Sequence, residues 1–100
     1  MSYSQALVES AVSSGLYRSF YAIAKDRGKS TSYINNLKTG DMRCTPYMSA
    51  FLAEKQGIDP LLGIALVQLE KAKDKKEKEY WKSLILRLRK EEDFRLVSST

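Results

Sequence analysis

The chain has 100 residues, 43% apolar and 10% aromatic, enough for one domain around a modest hydrophobic core and too apolar for a disordered chain. It has one cysteine and no histidine, which excludes an intramolecular disulfide, a Cys/His zinc site within one chain, and any Ser-His-Asp or Cys-His catalytic unit. The net charge of +5 and pI near 9.4 suit a polyanionic partner, either nucleic acid or an acidic membrane surface.

Residues 3–14 predict a first helix, with Ala6, Leu7, Val8, Ala11 and Val12 at helical spacing, Ser2 or Ser4 as the cap, and Gly15 as the stop. Residues 19–27 form a second helix of about two turns, whose apolar face is Phe20, Ile23 and Ala24 and which Gly28 breaks. Ser30 then caps a third helix, running through Tyr33, Ile34 and Leu37 to about Lys38, and Gly40 closes it. After a loop over residues 41–44, Thr45-Pro46 opens a fourth helix and Asp59-Pro60 a fifth, each a capping side chain followed by proline at the first helical position. Met48, Phe51 and Leu52 line the fourth helix, which Gly57 ends; Leu61, Leu62, Ile64, Ala65, Leu66 and Leu69 line the fifth.

Residues 70–79 are a run of lysines and acids that reads as solvated helix or a frayed joint. Apolar character returns in the stripe Tyr80, Trp81, Leu84, Ile85 and Leu88, one face of a sixth, amphipathic helix. From Asp93 onward the helix is expected to fray. The fold class is therefore all-α: a compact bundle of about five helices with a C-terminal amphipathic helix. The expected organisation is a first unit over residues 1–69, a charged helical extension over 70–95, and a disordered tail over 96–100.

The second and third helices meet the demands of a helix-turn-helix. A small residue, Ala24, stands where the helices would cross, and Gly28 lies four residues later in the turn. Ile34 and Leu37 face inward, and Ile23 packs beneath Ala24. This register resembles the lambda-repressor and Cro-like (XRE) helix-turn-helix family, over about residues 5–69. That span includes Gly40 after the third helix, the Thr-Pro start of the fourth and its Gly-Ile-Asp-Pro exit. The sequence departs from the family at Phe20, where a glutamine often fixes a phosphate; Ser19 or Tyr21 is the replacement available nearby.

The resemblance implies double-stranded DNA as partner, and by position it places base reading on Thr31, Ser32 and Asn36. Opposite Ile34 and Leu37, the outward face also carries Asn35, and such short uncharged groups suit base edges. Between residues 17 and 43 stand Arg18, Lys25, Arg27, Lys29, Lys38 and Arg43 against Asp26 and Asp41. Phosphate contacts are expected from Ser19, Tyr21, Lys29, Tyr33, Lys38, Thr39 and Arg43. Tyr33 either lies along the backbone or packs against the fourth helix.

Family members commonly form homodimers on palindromic operators, and Tyr80, Trp81, Leu84, Ile85 and Leu88 are either a dimer interface or the lid of the monomer core. The leading expectation is a repressor acting as a homodimer, resembling small phage or prophage regulators. The alternative is an adaptor or antirepressor that binds another regulator through its last helix. No cofactor, metal or catalytic group is expected. With no secretory signal in the first residues and no apolar run near the roughly 20 residues that span a bilayer, the location is expected to be cytoplasmic and no membrane partner is foreseen.

Overall fold

The computed structural model describes the backbone of residues 2–98 and the side chains of residues 2–90. The described chain is all-helical: α1 (Tyr3–Ser13), α2 (Phe20–Arg27), α3 (Thr31–Thr39), α4 (Pro46–Lys55), α5 (Pro60–Lys71) and α6 (Lys75–Ser98). Each of the first five helices begins at a side-chain cap that satisfies an otherwise orphaned amide. Ser2, Ser19, Ser30 and Thr45 each accept from the amide three residues on, at 3.0–3.2 Å. Asp59 Oδ1 accepts from Leu61 N at 2.9 Å. Of the two candidate caps for α1, Ser2 serves, in a reciprocal box with Gln5. Ser4 is fully buried instead and accepts from Cys44 N at 2.9 Å.

The helices close two cores. The first gathers Leu7, Val8 and Ala11 of α1, Ile23 and Ala24 of α2, Ile34 and Leu37 of α3, then Met48, Leu52 and Ala53 of α4, with Cys44 and Val67. Helix α1 packs against α3, α4 and α5. The second core is smaller. Leu62 and Ala65 of α5 meet Ile85 and Leu88 of α6, with Trp81 and Leu84 packed alongside. Ile58, in the α4–α5 link, touches both.

The α4–α5 crossing is tight because of Gly63. A Cβ there would lie 2.6 Å from Ala53 Cβ and 2.9 Å from the Ser49 carbonyl oxygen, so only glycine lets the two backbones approach this closely.

The second core bears on the two readings of the α6 stripe. Ile85 and Leu88 are buried within the chain, and Trp81 and Leu84 are half-buried against α5, so this stripe covers the chain's own second core rather than standing free for another copy. Tyr80 is the exception: it is 61% exposed and meets the Trp81 ring edge-on at 5.3 Å.

Two boundaries also shift. The charged run over residues 70–79 divides into the end of α5, a short turn and the first turn of α6, which Asp74 starts by accepting from Lys76 N at 3.2 Å. The backbone of α6 is helical to Ser98, past the expected fraying point, because no glycine or proline follows Gly63 to stop it. Of the expected disordered tail, Ser99 and Thr100 lie outside the described residues. Among the described residues, no helix is long and apolar enough to cross a membrane.

Candidate nucleic-acid interface

The α2–α3 pair is joined by three residues, Gly28, Lys29 and Ser30. Gly28 takes the left-handed conformation at φ 66°, and Lys29 N donates back to the Ala24 carbonyl at 2.9 Å, a closed C-terminal motif that a β-carbon would strain. Ser30 caps α3 at once. The turn therefore has no slack, and the direction of α3 follows from that of α2.

Helix α3 is held from both sides. Ile34 and Leu37 are fully buried beneath it. At its C-terminus, where carbonyls lack intrahelical partners, Gln5 Nε2 donates to Lys38 O at 3.1 Å and Arg43 Nη1 donates to Gly40 O at 2.8 Å. Gly40, at φ 88°, carries the chain away.

The opposite face is open. Thr31, Ser32 and Asn35 are exposed with uncharged hydrogen-bonding groups, and among the described residues no hydrogen bond ties their side chains down. Asn36 is half-buried, and its amide donates to the Met42 sulfur at 3.6 Å, so the four candidate base-reading residues divide into three free ones and one engaged.

The residues expected at phosphates divide similarly. Lys29 and Lys38 are exposed at the two ends of α3. Lys29 Nζ lies 5.6 Å from the Tyr33 ring centre, and Lys38 Nζ lies 4.6 Å from that of Phe20. The Lys38 ammonium thus stands beside Phe20, the first residue of α2. Tyr21 is 61% exposed, and the Ser19 hydroxyl, though it caps α2, keeps its proton to donate.

Tyr33 and Thr39 are turned from such a contact, and Arg43 is engaged in part. Tyr33 packs against the first core with its hydroxyl oxygen buried and unbonded, so that hydroxyl cannot meet a phosphate. The Thr39 hydroxyl is 2.9 Å from the Asp41 carboxylate, whose charge would repel one. Arg43 is half-buried and spends one N–H on Gly40, keeping the rest of its guanidinium.

A clamp that the sequence does not announce holds α2 to α4. The Arg27 guanidinium lies 3.7 Å from the centre of the Phe51 ring and donates to the Tyr47 hydroxyl at 2.7 Å. Next to it, the Tyr17 hydroxyl donates to Asp26 at 2.6 Å. Burial first, and then this bond to Asp26, push the Tyr17 phenol up to about 12. The same bond, helped by Arg27, holds the Asp26 carboxyl below its usual range. Arg27 therefore supports the interface from behind rather than forming its surface.

Among the described residues, no cluster of acidic, cysteine or histidine side chains could hold a metal ion. No protein-family model, curated protein or solved structure matches this chain.

Proposed function

We propose that the chain is a sequence-specific, double-stranded DNA-binding transcriptional regulator that lays α3 in the major groove and represses by blocking promoter access. One observation carries the reading. The face of α3 opposite buried Ile34 and Leu37 presents free, uncharged Thr31, Ser32 and Asn35, with exposed Lys29 and Lys38 at its two ends. Asparagine pairs with adenine through two hydrogen bonds and hydroxyls bond several bases, so the middle of the face suits base edges. The lysines suit phosphates, which supply affinity and set register. Lys38 of α3, beside the Phe20 ring, offers a cation at the position where the resembling family often carries glutamine.

In its fullest form the reading has two copies on a two-fold symmetric operator, with half-sites about 34–36 Å apart, as is usual for such modules. The α6 stripe, already covered by α5, is not what would join them.

The test is selection of the full chain against a randomised duplex library, repeated with Asn35→Ala and Ser32→Ala. The expected result is an enriched motif that each substitution relaxes at one base position, losing about 1–3 kcal/mol of discrimination. A symmetric motif supports the two-copy form, and a single half-site removes it. Failure to enrich any motif at low salt would overturn the reading and leave α2–α3 a structural element only.

A further inference from the structure

Between α5 and α6, at the edge of the second core and sharing Ile85 with it, runs an open groove of about 320 Å³. Its floor and walls are Leu66 and Leu69 of α5 with Ile85 and Leu86 of α6, and its ends are Lys82 and Arg89. Leu86 is a large apolar side chain that is 61% exposed. Two parallel ridges with an apolar trough between them are the geometry into which an amphipathic helix lays its apolar face.

The rim charges choose the occupant. Lys82 and Arg89 are both exposed, and neither makes an ion pair among the described residues. The neighbouring acid, Glu70, accepts from the Tyr3 amide at 2.6 Å. A second copy is a poor fit. An antiparallel contact seating Leu86 on Leu86 brings Lys82 opposite Arg89 or Lys90, and a parallel one sets each cation against itself. Like charges so placed are repulsive and select against that partner. We infer that this groove is the docking site for an acidic amphipathic helix of another protein, with apolar residues for the Leu66–Leu69–Leu86 trough and carboxylates for Lys82 and Arg89. Those cations stand seven residues apart on α6, roughly 10.5 Å along the helix axis. The partner's carboxylates are spaced by about two turns to match.

The proposal is independent of DNA binding, and so is its test. A phage-displayed library of helical peptides is selected against the full chain, with parallel selections on Leu86→Glu and on Lys82→Glu/Arg89→Glu. All three changed side chains are exposed, and circular dichroism melts establish that the variants fold. Wild type is expected to enrich peptides with an apolar stripe flanked by Asp or Glu. Leu86→Glu is expected to bind those peptides at least tenfold more weakly, and the charge-reversed variant to turn the enrichment to basic peptides. Absence of enrichment, enrichment that survives Leu86→Glu, or indifference to the charge reversal would overturn it. So would sedimentation showing a dimer of the wild-type chain that Leu86→Glu dissociates, since a second copy would then own the groove.

Discussion

Asp26 and Tyr17 share one hydrogen bond, and the chain's stability should register it at both ends of the pH scale. The depressed Asp26 carboxyl binds its proton more weakly folded than unfolded. Its contribution is therefore complete above the unfolded carboxylate range, near 4, and is lost as pH falls through the lower folded value. Tyr17 runs the other way. With a folded value of about 12 against the ordinary tyrosine value of about 10, it keeps its proton where the unfolded chain has released it, so stability falls as pH rises from about 10 towards 12. Asp26→Asn should flatten the acid limb of a urea-midpoint profile, and Tyr17→Phe should flatten the alkaline limb; unchanged limbs would show that the bond carries no linkage. A third residue, Ser4, acts by burial. Its hydroxyl is the partner of the Cys44 amide, and Ser4→Ala should cost about 1–3 kcal/mol in equilibrium unfolding because that amide is left dry and unpaired.

Helices were legible where their signals are local. Ser30, Thr45-Pro46 and Asp59-Pro60 each act on amides within three residues, so the sequence names the cap and the structure uses it. The start of α6 was not legible, because a run of lysines and acids has no apolar period to mark it. Gly63 is a different failure. Mid-helix glycine reads as a weakness of about 1 kcal/mol relative to alanine, whereas here it is the contact point of α5 on α4. Propensity and packing therefore make opposite predictions for Gly63→Ala. Packing should win: a methyl 2.6 Å from Ala53 Cβ forces the helices apart, for a net loss of about 1–3 kcal/mol in thermal or urea unfolding. A more stable variant would show that the crossing can relax. The candidate interface was legible to the same degree. Ile34 and Leu37 define the outward face by periodicity alone, but Tyr33, one residue from the buried face, could be placed only by the packing around it. Arg27 and Phe51, 24 positions apart, have no sequence pattern that pairs them.

For the molecule as a whole, the division into two cores decides what α6 does. Ile85→Ala should cost about 2–5 kcal/mol, as truncation of a buried isoleucine does elsewhere, with a urea midpoint that does not move with protein concentration, because the contact lies within one chain. A midpoint that rises with concentration would return the stripe to an interface between chains. Where the first core meets the α3–α4 loop sits the buried thiol of Cys44, the only cysteine of the chain, raised in pKa chiefly by its burial. A thiol so enclosed can be alkylated only when the loop parts from α1, so the rate of adduct formation clocks that opening with no probe introduced. The clock runs immediately behind α3. A duplex seated on α3 should slow it, and a helix lodged between α5 and α6 should leave its rate unchanged.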